Sequence, residues 1–381
     1  MKSSDNCKYF KKCGACQLRN MTYAEQLSYK MSRVIKTVGR FGHVEEIVPM
    51  ENTSGYRNKA QQLIYEQNGK VQSGIYQSSS GKPVRCDSCP VETEISSKII
   101  REICHIMSEL KLKAYNPSSG RGFLRHVLVR QGFATGEIMV VLVSAAAMFP
   151  KEKLFVSLLT ERIPQITTVV QNVNDTHTPL WLTDKERVLY GDGYITDILC
   201  GCSFRISPRS FYQINPVQTE RLYTTAMDLA GLTGKEKVLD AYSGIGTIGI
   251  IAAKRAGLVH AVETNKSSVA DAVVNAKLSN VHNIKFFTSD TTKFLEKAAY
   301  RGERYDVVFM DPPRAGCDKH FLSKLITASP GKIVYISCNP ETLSRDLYIL
   351  RAGGYKVKTI KPFDMFPHTN HIECVTMMTR A

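Results

Sequence analysis

Apolar and polar positions along the chain fall into three textures. The segment YAEQLSYKMSRVIKTV, from Tyr23 to Val38, spaces its apolar groups at helical intervals, with Thr22 placed to cap the start and Gly39 just past the end. One amphipathic helix is therefore predicted over 22–39. From Glu51 to about Ile206 the apolar runs are short, such as HVLVRQ (126–131) and IMVVLV (138–143), and Gly, Ser, Pro and Asn punctuate them. This texture predicts a small antiparallel α+β body. From Lys237 onward the runs KVLD, HAVE, IKFF, DVVFMD, KIVYIS and KVKTI alternate with longer segments that can hold helices. Such alternation predicts βαβ units and a mostly parallel sheet, an α/β fold. The closing run HIECVTMM is predicted to be an edge strand, antiparallel to the run before it. The boundary falls near residue 210, giving bodies over 1–210 and 211–381.

Composition narrows the partner. A chain of 381 residues, 43% hydrophobic and 22% charged, can bury a sizeable core in two domains. No run approaches the ~18 apolar residues of a membrane span, and the polar, basic start lacks the apolar core of a signal peptide, so a soluble cytoplasmic protein is expected. The formal charge is +15, and both bodies carry a basic excess, which points to a polyanion and first of all to nucleic acid. Eleven cysteines, an odd number, read in a reducing compartment as metal ligands, nucleophiles or small core residues and not as a disulfide framework.

The candidate chemistry begins after KVLD. Gly244, Gly246 and Gly249 spell G-x-G-x-x-G between a strand and an apolar, helix-like segment, and Glu263 closes the next strand. Glycines there let the backbone approach a cofactor, and the carboxylate can accept from a ribose. Dinucleotide enzymes and class I methyltransferases that bind S-adenosylmethionine share this constellation, and a glycine-rich turn without a ligand is the bland alternative. Two details favour the methyl donor. Asp240 closes the first strand, where it suits a cationic donor and would repel a pyrophosphate, and Asp290 follows the third strand, where it suits an adenine amino group.

Two further motifs end parallel strands, the rim where open α/β sheets hold their sites. Asp311-Pro-Pro-Arg314 makes a stiff loop, since each ring fixes φ and removes a donor. Ser337-Cys338-Asn339-Pro340 puts a thiol at the neighbouring rim position, where a basic side chain or the following helix N-terminus is expected to lower its pKa. Packing is the alternative for Cys338. Glu373 enters an otherwise apolar run, as an exposed edge carboxylate or as a buried base with a raised pKa. His368 and His371 read equally as packing or RNA-contacting groups and as acids or bases.

The remaining cysteine pattern is open on spacing alone. Cys13, Cys16, Cys86 and Cys89 form C-x2-C…C-x2-C, a zinc pattern, but the 69-residue gap exceeds the ~15–20 of a zinc ribbon and leaves Cys7 idle. Cys7, Cys13 and Cys16 with a distant Cys-Pro instead resemble iron–sulfur ligation. Cys104, Cys200, Cys202, Cys317 and Cys374 have no partner pattern, so packing is their default.

Taken together, the amino-terminal cysteines, Phe211-Tyr-Gln213-Ile-Asn215, the DxYSGIG loop, Glu263, DPPR, SCNP and the terminal HIE resemble the RNA uracil-5-methyltransferase family over nearly the whole chain. The resemblance implies a class I methyltransferase domain with a Rossmann-like, mostly parallel sheet over 211–381. It further implies an iron–sulfur and RNA-binding central domain over 1–210, with the helix at 22–39 free to pack on the catalytic domain. By family analogy Cys338 is the nucleophile and Glu373 the base, and Gln213, Tyr242, Gly244, Glu263, Asp290 and Asp311 bind S-adenosylmethionine. Cys7, Cys13, Cys16 and Cys89 then match the ligands of a [4Fe–4S] cluster, with zinc as the alternative and Cys86 a spare. The chain resembles the short members that lack an OB-like domain before the cysteines. The cysteines tilt the expected substrate toward 23S ribosomal RNA, with transfer RNA as the alternative and a monomer without an obligate protein partner. An NAD-dependent oxidoreductase with an iron–sulfur domain is the rival of another class, resting on the same glycines, and a noncatalytic RNA-binding protein is a second.

Overall fold

The computed structural model describes residues 7–176 and 181–380; the first six residues of the polar start lie outside them. The chain opens with α1 (Phe10–Cys13) and α2 (Tyr23–Val38). α2 starts where a reciprocal cap holds it: the Thr22 hydroxyl accepts from the Glu25 N–H, and the Thr22 N–H donates to the Glu25 carboxylate at 2.7 Å. β1 (Lys59–Gln67), β2 (Lys70–Tyr76), β3 (Pro83–Arg85), α3 (Glu94–Glu109), β4 (Leu124–Gln131), β5 (Ile138–Ser144), α4 (Glu152–Arg162), β6 (Ile166–Val173) and β7 (Glu186–Tyr190) follow. They form a seven-stranded sheet in the order β3-β2-β1-β4-β5-β6-β7, antiparallel throughout except for β5 and β6, which α4 connects in parallel.

One face of this sheet packs on α3 and α4 through Ile64, Val127, Val140, Ile103 and Phe155. The other face, at Leu128, Met139, Val141 and Val143, continues into the core of the second half. That core includes the hairpin of β8 (Ile195–Leu199) and β9 (Cys202–Ile206) and the helix α5 (Pro216–Ala230). One apolar core thus crosses the linear boundary at residue 210.

The second sheet is built from β10 (Lys237–Ala241), α6 (Thr247–Ala253), β11 (Leu258–Glu263), α7 (Lys266–Leu278), β12 (Ile284–Thr288), α8 (Thr291–Tyr300), β13 (Val307–Met310), α9 (Lys319–Ala328), β14 (Lys332–Ser337), α10 (Pro340–Ala352), β15 (Tyr355–Phe363) and β16 (Glu373–Arg380). Its order is β12-β11-β10-β13-β14-β16-β15. The first five strands are parallel and reverse their winding between β10 and β13, which opens a crevice at their carboxyl ends. β16 corrects the sequence expectation: it is not an edge strand but lies between β14 and β15, antiparallel to both. Its buried run over Glu373–Thr376 needs cover on both faces, whereas β15 alternates more and takes the outer place. Residues 44 and 48 bridge to Ile360 and Phe363 and shield that edge. α2 belongs with this sheet, since Val34 and Val38 pack with Leu343, Leu347 and Ile360. Among the described residues no helix is long and apolar enough to cross a membrane.

Candidate active site

Strand register sets most of the candidate residues along one rim. β10 pairs Ala241 with Val262 on one side and with Met310 on the other. The residues that follow, Tyr242 and Asp311, are therefore neighbours, with Glu263 beside Tyr242. β14 pairs Ser337 with Cys374, so the register carried one step further sets Cys338 opposite Glu373, the first residue of β16.

The electrostatics of this end are acidic and dry. Glu373 is buried, which holds its carboxyl well above the usual carboxylate range, and the charge of Asp311 adds to the rise. Burial pushes Asp311 up to about 7. Cys338 departs from expectation. Asn339 does cap α10 and Arg314 does favour the thiolate, but burial and the negative charges of Glu373 and Asp311 outweigh them and push the thiol up to about 12. A thiol and two carboxyls thus compete for protons in one place. A nucleophile beside a carboxyl whose burial raises its affinity for a proton is what such a group can supply.

The glycine loop forms the other half. Tyr242, Gly244 and Gly246 all have positive φ, at 67°, 53° and 85°, and the Tyr242 ring is held edge-on against Phe321 with centroids 5.4 Å apart. Gly249 donates its N–H to Asp240 Oδ2 at 2.7 Å, and a Cβ there would stand 2.9 Å from that oxygen. Asp240 is buried and Oδ1 has no partner among the described residues; burial, only partly relieved by the Gly249 bond, pushes its carboxyl up to about 8. Glu263 ties the loop to the next turn, accepting from the Gly244 N–H at 3.1 Å and from the Asn265 N–H at 2.7 Å. Gln213 reaches the same region through the buried Tyr223 hydroxyl, which it shares with Thr247 beside Asp311. Asp290 stands further out, exposed, and caps α8 by accepting from the Lys293 N–H at 3.0 Å.

The cysteines gather at the margin of the first sheet. Cys7, Cys13, Cys16, Cys86 and Cys89 line one cavity of about 350 Å³ together with Arg57. Burial, followed by the charge of Cys89, pushes Cys16 up to about 11; the Cys86 thiol hydrogen-bonds Cys89, which raises the first and lowers the second. Among the described residues no three His, Cys, Asp or Glu side chains are grouped closely enough to hold one metal ion. Cys104, Cys202, Cys317 and Cys374 are buried, and Cys200 is half-buried.

Sequence reasoning missed a buried ion pair next to the active rim. Lys30 of α2 donates to Asp364 Oδ1 at 2.6 Å, and both side chains are fully buried. Its only trace in the sequence is that Gln26 and Lys30 occupy the same stripe of α2 as Val34 and Val38.

A sequence profile of the family described as tRNA (Uracil-5-)-methyltransferase matches residues 22–381. The chain is 41% identical to an uncharacterized RNA methyltransferase of Halalkalibacterium halodurans over 98% of its own length and 82% of that protein. It is 38% identical to another from Caldanaerobacter subterraneus subsp. tengcongensis, over 98% and 84%. The crystal structure of Pyrococcus abyssi tRNA (uracil-54, C5)-methyltransferase in complex with S-adenosyl-L-homocysteine superposes with a TM-score of 0.81 at 30% identity, covering 96% of this chain and 85% of that one. The chain is an S-adenosylmethionine-dependent RNA methyltransferase and belongs to the tRNA (uracil-5-)-methyltransferase family.

Proposed function

We propose that this protein methylates carbon 5 of a uridine in 23S ribosomal RNA through a covalent adduct between Cys338 and carbon 6. The observation that carries the reading is the register of β14 and β16, which sets Cys338 against the buried Glu373 with Asp311 alongside. Family membership replaces the nicotinamide reading of the same glycines.

The residues on the donor side suit S-adenosylmethionine. The positive-φ turn at Tyr242–Gly246, with the Asp240 Oδ1 that has no partner among the described residues behind it, suits close approach of the donor, and Tyr242, Gly244, Glu263, Asp290, Asp311 and Gln213 would hold it. Bound there, it supplies an activated methyl group. Carbon 5 of uracil is too weak a nucleophile to take that group unaided. The Cys338 thiolate, formed by loss of the thiol proton to solvent, adds to carbon 6 and leaves carbon 5 an enolate carbon able to accept the methyl. The Glu373 carboxylate then removes the proton still on carbon 5, the sulfur–carbon 6 bond breaks, and the thiolate and the 5-methyluridine are released. The uridine must leave its stack to reach the rim. Replacing Cys338 by Ala should abolish both methylation and the protein–RNA adduct; persistent turnover would remove the nucleophile from this account.

Cys7, Cys13 and Cys16 of the amino-terminal segment and Cys89 of the turn after β3 line one cavity and, drawn closer together than they stand in this structure, would hold a [4Fe–4S] cluster that ties the amino-terminal segment to the first sheet. Visible absorbance and iron content of anaerobically purified protein test this, and stoichiometric zinc without iron would overturn it. The cysteines support the ribosomal substrate. Transfer RNA is the second reading, favoured by the similarity to the Pyrococcus abyssi tRNA (uracil-54, C5)-methyltransferase. Mapping 5-methyluridine in both RNAs from cells with and without the gene decides between them: loss confined to transfer RNA would refute the ribosomal assignment.

A further inference from the structure

Residues 364–372 carry the chain from β15 into Glu373 without a strand or helix to hold them. What holds them is one face of α2. Tyr23, Gln26, Lys30 and Arg33 recur at helical spacing, and together they reach Asp364, Phe366, His368 and Asn370 of that segment. The Tyr23 hydroxyl donates to Asp364 Oδ2 at 2.9 Å. Lys30 donates to Asp364 Oδ1 and, at 3.0 Å, to the Phe366 carbonyl. Gln26 accepts from the His368 N–H at 2.9 Å, and its amide nitrogen meets His368 Nδ1 at 3.3 Å. Arg33 donates to the Asn370 carbonyl at 2.8 Å and grips Glu341 at the start of α10 with its other nitrogens.

These contacts are poor value as mere packing. The stripe continues as Val34 and Val38, so apolar residues are accommodated one and two turns further on. Burying an ammonium and a carboxylate is costly even when they pair, and such pairs are best understood where geometry has to be unique. The segment also needs holding, because His368 sits at φ 69°, a left-handed conformation that residues other than glycine adopt uncommonly. From Asn370, the last rung, the chain runs only three residues to Glu373, and Arg33 ties that rung to α10, whose cap follows Cys338 directly.

We propose that the polar stripe of α2, Gln26 with Lys30 and Arg33, is the device that positions Glu373 against the substrate held by Cys338. This rests on Glu373 being the base that resolves the adduct. A misplaced base slows the resolving step and leaves thiolate addition intact, so the signature is an enzyme trapped on its RNA, and lower activity alone does not meet it.

The test uses two variants, Gln26→Met and the double variant Lys30→Met with Asp364→Leu, which removes both charges together. For each, kcat, KM for RNA and the steady-state fraction of protein covalently linked to RNA are measured beside Glu373→Gln. The inference expects kcat to fall on the order of tenfold, KM to change by less than about twofold, and the linked fraction to rise several-fold. A linked fraction at the wild-type level, with kcat falling only in step with the folded fraction, would overturn it. Should the double variant fail to fold, Gln26→Met decides in the same way. If Glu373→Gln itself traps no adduct, the base assignment has failed; if it traps adduct and the stripe variants do not, the positioning role alone has failed.

Discussion

The active rim and the cysteine cavity are built on opposite plans. At the rim, sheet register carries Glu263, Tyr242, Asp311, Cys338 and Glu373 to adjoining positions, and burial raises the Asp311 and Glu373 carboxyls and the Cys338 thiol. The cavity is made instead from a one-turn helix, a loop and the Cys86-x2-Cys89-Pro90 turn, and thiols line it. A rigid sheet suits a site whose partners must meet within fractions of an ångström. A loop-built site suits a cross-link that ties separate segments together. On the proposed function the rim carries the chemistry and the cavity carries cohesion.

The largest expected effect would break that comparison if absent. Cys338→Ser should lower methylation by about a thousandfold or more with thermal unfolding unchanged. Cys89→Ser should instead destabilise the protein by roughly 1–3 kcal/mol, with activity following the folded fraction. Equal loss of turnover at unchanged stability in both variants would mean that the cavity takes part in the chemistry.

A smaller effect sharpens the account of the donor half. Gly249→Ala forces a methyl group to within 2.9 Å of Asp240 Oδ2 and 3.1 Å of Ile284 Cδ1. It should weaken donor binding in calorimetric titration and cost about 1–3 kcal/mol of stability through overpacking.

The smallest effect concerns pH. Burial raises Asp240 to about 8 and Asp311 to about 7, so the folded protein binds protons there that the unfolded chain has released. Stability from these groups is full below the unfolded carboxyl pKa of about 4 and is lost as pH rises through about 7 to 8. Donor-free protein should therefore show a falling unfolding midpoint across this window, and Asp240→Asn should flatten part of the slope.

How much of this was legible in the sequence follows the same division. The glycine loop, DPPR and SCNP could be read because each is a local motif at a strand end, and the alternation after Lys237 predicted the parallel sheet that arranges them. The burial of Glu373 could not be read, since one carboxylate in an apolar run fits an exposed edge as well as an interior strand; only the insertion of β16 between β14 and β15 decides it. The raised Cys338 thiol escaped for a related reason, because the helix cap and Arg314 are visible in sequence while the opposing carboxyls arrive from distant strands. The Lys30–Asp364 pair joins residues 334 positions apart and left no periodic mark except polar residues on an otherwise apolar stripe. The continuous core across residue 210 was hidden too, since short runs in both halves show what is apolar and not what it packs against.

The central claim is that Cys338 and Glu373 act in sequence on one uracil. Mass spectrometry of Glu373→Gln incubated with substrate RNA and S-adenosylmethionine tests it most directly. The account predicts a protein–RNA adduct that maps to Cys338 and carries an already methylated uracil. Normal release of 5-methyluridine without a trapped adduct would contradict it.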